Sequence, residues 1–271
     1  MTQTNATGRA SRRAAWGCVA LATLGAAGAG HAQTAPAAAT TPAAAPVKEA
    51  RAMQALESTG RYLRSLKAFA LHADTVTDEV LVSGQKLQFG GTVAYRYVAP
   101  NRLSLQMRSD RQHRDFVYDG KTLTLWAPRM KLYASVPAPA TTAELVQIAD
   151  RDYGVSFPLA DLFLWGTDKA AGDDVTEAMY VGPAQIAGQR CDHYAFRQAD
   201  ADWQLWIRQG ASPLPCRLVI TTTSEPEQPQ YTAQFKWDLA AKPGASSFRF
   251  APPADARRIG IVRADVPTGS K

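Results

Sequence analysis

The sequence predicts an α+β domain: a large antiparallel sheet with helices gathered on one face. Three observations carry that class. Short segments of alternating apolar residues, broken by turn signals, fill Phe89 to Tyr133. A second set of such segments fills Ala178 to Trp237. Between the two sets, and once before the first, the apolar period changes to that of a helix.

The elements follow in order. Val47 to Leu66 reads as an amphipathic helix, because Ala50, Met53, Leu56, Leu63 and Leu66 recur at helical spacing on one stripe. Phe69 to Thr77 alternates as a strand. Val93, Tyr95 and Tyr97 then share one face of the next strand, since successive strand side chains point to opposite faces. Leu103, Leu105 and Met107 repeat the pattern after the Ala99-Pro100-Asn101 turn. Phe116 and Tyr118 precede Asp119-Gly120, a hairpin signal, and Leu123 and Leu125 follow it. Trp126 and Pro128 lead into one more short strand. Thr141 and Glu144 form a capping box that opens a second helix over Thr141 to Asp152, with Leu145 and Ile148 facing inward. Phe157 to Trp165 reads as a third, short helix. It is apolar nearly all round and so must be enclosed. The later strands carry Tyr194 and Phe196, Leu205 and Ile207, Leu218 and Ile220, then Tyr231, Ala233 and Phe235. Phe248-Arg249-Phe250 reads as a short closing strand.

The chain opens with an export signature. Arg9, Arg12 and Arg13 precede an apolar run from Trp16 to Ala29, and Gly30-His31-Ala32 supplies small residues for cleavage near Ala32. The run is shorter than the roughly 20 residues a membrane span needs, so a cleaved leader is expected rather than an anchor. Ser11-Arg12-Arg13 faintly matches a twin-arginine signal, and the general secretory route fits equally well. Cys18 sits in a poor lipoprotein processing context, so no lipid anchor is expected. Residues 1–32 are thus read as a signal peptide and 33–47 as a disordered Ala/Pro/Thr linker. One domain follows over 48–262, then a flexible tail over 263–271. The expected location is the periplasm.

Losing a leader with three arginines and no acid reduces the net charge from +6 to about +3. The basic residues are scattered rather than striped, which argues against a nucleic-acid partner. Two cysteines remain after cleavage, Cys191 and Cys216. In an oxidising compartment a disulfide between them is expected, with two separate buried thiols as the alternative.

No nucleophile–base pair, metal-ligand spacing or phosphate loop is present, so no enzyme activity and no cofactor is expected. His72, His113 and His193 share no ligand spacing. Cys191-Asp192-His193 reads as a disulfide strand with a hydrogen-bonded histidine rather than a zinc site, which needs three or four convergent ligands. Asp173-Asp174, with Asp168 and Glu177 nearby, lacks the ligand ladder of a calcium loop. Asp200 and Asp202 belong to a hairpin loop.

PLADLFLWG, CDHYAFRQADADWQLWI, PLPCRLVITT and FRFAPPADA make residues 48–262 resemble the bacterial periplasmic family called domain of unknown function 2092. More distantly, Pro100-Asn101-Arg102, Asp119-Gly120-Lys121-Thr122, Trp126 and Pro128 resemble the LolA and LolB lipoprotein carriers. That resemblance implies a half-open antiparallel barrel whose concave face is covered by helices and receives acyl chains. The carriers commonly place Arg before Pro-Asn where this chain has Ala99, so the lipoprotein-carrier role itself is not carried over.

The functional expectation is a periplasmic binding protein for a lipid, acyl chain or lipoprotein. Val93, Tyr95, Leu103, Leu105 and Met107 are expected to line an apolar pocket, with Leu162, Phe163 and Trp165 as its lid. The alternatives are an envelope protein-interaction or stress-sensor module with a filled barrel, and an enzyme of unknown class.

Overall fold

The structure is a computed structural model that describes residues 47–168 and 174–261. The leader and its cleavage site, most of the linker, Asp173 and the tail lie outside the described residues. Among these residues, one twelve-stranded sheet runs in the order β12-β6-β5-β4-β3-β2-β1-β11-β10-β9-β8-β7. Its strands are β1 (Ala68–Val80), β2 (Lys86–Val98), β3 (Arg102–Ser109), β4 (His113–Tyr118), β5 (Thr122–Ala127) and β6 (Leu132–Pro137), then β7 (Glu177–Ile186), β8 (Gln189–Arg197), β9 (Ala201–Arg208), β10 (Pro215–Thr222), β11 (Gln230–Asp238) and β12 (Arg257–Arg258). Every pairing is antiparallel except β12 with β6. The sheet is open and curved, and α1 (Ala50–Ser65), α2 (Thr142–Tyr153) and α3 (Asp161–Leu164) cover part of its concave face. Among the described residues no helix is long and apolar enough to cross a membrane.

The chain's two halves form two meanders, joined by pairing β1 to β11 in the middle of the sheet. Turn chemistry fixes the registers. At the β4–β5 hairpin, Asp119 Oδ1 accepts from the backbone N–H of Lys121 at 2.9 Å and of Thr122 at 2.8 Å, and Gly120 takes φ 97°. Phe69, Tyr95, Leu103, Leu105, Phe116 and Tyr118 all lie on the concave face and are buried in one core.

Each helix is placed by specific contacts. The buried stripe of α1 is Ala52, Leu56, Thr59, Gly60 and Leu63. It is rotated from the expected one, so Ala50 is exposed and Met53 and Leu66 are half-buried. The rotation follows from a close approach: a Cβ on Gly60 would lie 2.5 Å from the backbone nitrogen of Gly166. Arg64 reaches from the same helix and donates to the carbonyls of Leu162 and Phe163. In α2 the Thr141 hydroxyl accepts from the Glu144 N–H at 3.2 Å and meets its carboxylate at 2.9 Å. The buried face of α2 is Thr142, Leu145, Val146 and Ala149, leaving Ile148 half-buried.

Two expectations need correction. The third helix is only Asp161–Leu164, not Phe157 to Trp165. Pro158 disfavours helical backbone at Phe157, and Leu159 adopts φ 60°, which ends any continuous helix there. The segment is enclosed nonetheless: Phe157, Leu159, Leu162, Phe163 and Trp165 are buried. The closing strand is not Phe248 to Phe250. Phe248 ends a 3-10 turn and is buried, while Phe250 packs on Trp126 and Tyr133 at ring distances of 5.8 and 5.2 Å. Those contacts hold the segment as a strap against the sheet, and β12 pairs further on.

The disulfide forms. Cys191 on β8 and Cys216 on β10 are joined with Cα atoms 6.9 Å apart. The two strands are not neighbours, because β9 runs between them, so the bridge straddles the end of β9.

Candidate functional site: an open trough beside a packed core

Strand parity and register build the site. Cross-strand partners on the concave face of β1 and β2 are Phe69 with Tyr97, Leu71 with Tyr95, Ala73 with Val93, Thr75 with Gly91, and Thr77 with Phe89. The first rows lie under α3. There the Phe163 ring sits 5.2 Å from Tyr95, 5.5 Å from Tyr97 and 6.4 Å from Phe69. The later rows continue past the helices, because β1 and β2 are each 13 residues long.

Beyond the helices the concave face holds a cavity of about 370 Å³. Its apolar walls are Phe89, Val93, Met107, Pro158 and the ring of Tyr231, and its floor is Gly91 with Thr75 and Thr77. Gly91 keeps that floor flat: a Cβ there would lie 2.8 Å from the Arg108 carbonyl. The roof edge is held by Tyr95, whose hydroxyl donates to the Pro158 carbonyl at 2.5 Å. Burial raises the Tyr95 phenol well above its usual range, so it stays a donor.

Three arginines stand at the mouth on or beside the β3–β4 hairpin. Arg108 pairs with Asp115 at 2.6 Å. Arg111 pairs with Glu79 and lies 4.8 Å over the Phe89 ring. Arg114, opposite Met107 on the concave face, is exposed and its guanidinium has no hydrogen-bond or ion-pair partner among the described residues. On the far wall, the Tyr231 hydroxyl is buried without a hydrogen-bond partner among the described residues. Leaving such a group unpaired costs about 1–3 kcal/mol. Burial also raises its pKa, so it too remains a donor.

A second cavity of about 70 Å³ lies under α1 and α3, among Leu56, Trp165, Trp203, Leu218 and Ile220. Asp161 faces it, and burial raises the pKa of that carboxyl. The Trp203 indole N–H is buried there without a partner among the described residues. Tyr231 on the first cavity and Ile220 on the second are cross-strand partners, so this pair divides the two spaces. A shallow depression of about 390 Å³ on the opposite face combines apolar surface with His72, Arg96, Asp238 and Lys236, the last paired with Asp74 at 2.8 Å.

The eight residues nominated from sequence are therefore separated by the fold. Val93 and Met107 line the cavity beyond the helices and Trp165 lines the one under α1 and α3. Tyr95, Leu103, Leu105, Leu162 and Phe163 are packed in the core, each no more than 2% exposed. Sequence reasoning missed Phe89, Gly91, Thr75, Arg114 and Tyr231. The signal was available: the parity that groups Val93 with Tyr95 also reaches Gly91 and Phe89, and that of Phe116 reaches Arg114.

Among the described residues no group of three His, Cys, Asp or Glu side chains could hold a metal ion. His193 stacks on Trp206 at 4.0 Å and bonds Gln204 at 3.0 Å, while Cys191 is consumed by the disulfide. Asp202 pairs with Arg197 at 2.7 Å.

No curated protein matches the chain. Among solved structures it is similar to an uncharacterised conserved protein from Thermus thermophilus, at 12% identity and TM-score 0.44, covering 78% of this chain and 99% of that one. It is similar to the Pseudomonas aeruginosa MucA/MucB complex at 14% identity and TM-score 0.42, covering 78% of this chain and 64% of that one. It is also similar to the Mycobacterium tuberculosis lipoprotein LppX at 11% identity and TM-score 0.43, covering 69% and 95%. Likeness at that level carries no weight on function. The family comparison is decisive for membership: residues 52–262 match the model described as predicted periplasmic protein (DUF2092), and the chain belongs to that family.

Proposed function

We propose that this periplasmic protein is a non-enzymatic binding module that takes the apolar chain of an amphiphile into the open trough. The observation that carries the reading is the cavity of about 370 Å³ on the concave face, walled by Phe89, Val93, Met107 and Pro158. Its size falls in the range of small-molecule sites, and its lining offers apolar walls and polar groups in comparable measure, which suits an amphiphile. Burying a chain there gains roughly 25 cal/mol per Å² of apolar surface. The test is titration of lipid-stripped protein with a polyene fatty acid whose fluorescence rises on burial. Saturable binding supports the reading. Its absence, with circular dichroism showing an intact fold, overturns it.

A second reading, an envelope protein-interaction module, is favoured by one observation. Edge strand β7 exposes Met179 and Val181, while its first residues are covered by pairing with the chain at Val47 to Glu49. Saturable lipid binding lost on filling the trough would favour the first reading. A partner captured through β7, with the trough irrelevant, would favour the second.

A further inference from the structure

We infer that the trough selects amphiphiles with an anionic head, a carboxylate or phosphate held at Arg114, whose chain runs across the floor toward Tyr231. The inference rests on the binding reading above and adds head-group class and orientation to it. Of the charged side chains on the lining, Glu79 is paired with Arg111, and Arg108 is taken up by Asp115, which lies off the cavity. One cation, Arg114, remains at the rim of a cavity whose lining combines the apolar Phe89, Val93, Met107 and Pro158 with hydroxyl and amide groups. Its Cα partner is Met107, whose own partner is Val93, so the cation and the apolar wall belong to one row of the concave face.

Polarity along the trough sets the direction. Arg114 is on β4 and Tyr231 on β11, with β3, β2 and β1 between them. Four strand spacings of about 4.8 Å put roughly 19 Å of sheet between the two backbones. At the Arg114 end the lining is charged and exposed. At the Tyr231 end the polar groups are the hydroxyls of Thr75 and Thr77 and the buried neutral hydroxyl of Tyr231, which suit a weak acceptor and not an anion. An anion at Arg114 stays partly hydrated, whereas an anion buried beside Tyr231 would lose its water with no cation to compensate.

The experiment compares three competitors of the bound polyene fatty acid: a long-chain fatty acid, its methyl ester and a lysophospholipid with a phosphodiester head. The wild type should prefer both anions over the ester by roughly fivefold, and the preference should fall as salt is raised. Arg114→Glu should remove or invert it, and Arg114→Lys should restore it. Tyr231→Phe should shift all three affinities together. The acid and the lysophospholipid distinguish carboxylate from phosphate as the head chosen. Equal affinity for acid and ester, or a preference set by Tyr231 instead of Arg114, overturns the inference and leaves the binding reading standing. Failure of any probe to bind overturns both.

Discussion

The concave face of β1 to β3 is two surfaces on one set of strands. Along β1 it runs Phe69, Leu71, Ala73, then Thr75, Thr77 and Glu79; along β2 it runs Tyr97, Tyr95, Val93, then Gly91 and Phe89. The first stretch lies under α3 and is filled by Phe163. The second extends beyond the helices and borders the trough. Backbone pairing is continuous through both, so what separates core from site is helix coverage and side-chain size. A packed half holds the strands in register while the uncovered half remains concave.

Substitutions that treat the two halves alike should therefore have unlike effects. The largest effect falls in the packed half. Phe163→Ala should cost about 3–5 kcal/mol in chemical denaturation, because its cavity is bordered by Phe69, Tyr95 and Tyr97, which cannot all collapse into it. Next is the disulfide: replacing Cys191 and Cys216 together should cost roughly 3 kcal/mol, given the 25-residue separation it closes. That loss should spare trough binding, since the bridge joins β8 and β10 in the other half of the sheet.

A matched pair sharpens the contrast further. Leu162→Trp enlarges a side chain that is 2% exposed and should destabilise by about 1–3 kcal/mol. Met107→Trp makes a similar change at a half-buried position facing open space. It should move stability by no more than about 0.5 kcal/mol and block probe binding. The smallest effect, read as a pH dependence, belongs to Asp161 beside the small cavity. Burial lifts its folded-state pKa above the ordinary 3.8, so its stabilising protonated form prevails at low pH and is lost as pH rises through the folded pKa. Asp161→Asn should thus be more stable than wild type at neutral pH and gain nothing below about pH 3.8.

Most of the fold could be read from sequence because period-two alternation and hairpin signals are local. The β2–β3–β4–β5 meander, the Asp119-Gly120 turn and the Thr141 cap each depend on residues close in sequence. The site was harder. It is made by where the helices stop, and that depends on Pro158, the positive φ of Leu159 and the Gly60–Gly166 approach between distant segments. The nominated set favoured the most apolar residues, and these are the ones a core absorbs first. Thr75, Gly91 and Tyr231 carry weaker apolar signals and gain their place only through register. The closing strand was misplaced for a similar reason: Phe248 and Phe250 are apolar at period two, yet they are consumed by burial and by stacking on Trp126 and Tyr133.

The most direct test is a fluorescence titration of lipid-stripped protein with the polyene fatty acid, run side by side on wild type and Met107→Trp. A site in the trough predicts saturable binding to wild type and its loss in Met107→Trp, with the two melting temperatures matching. No saturable binding to wild type, or binding that survives Met107→Trp, would contradict it.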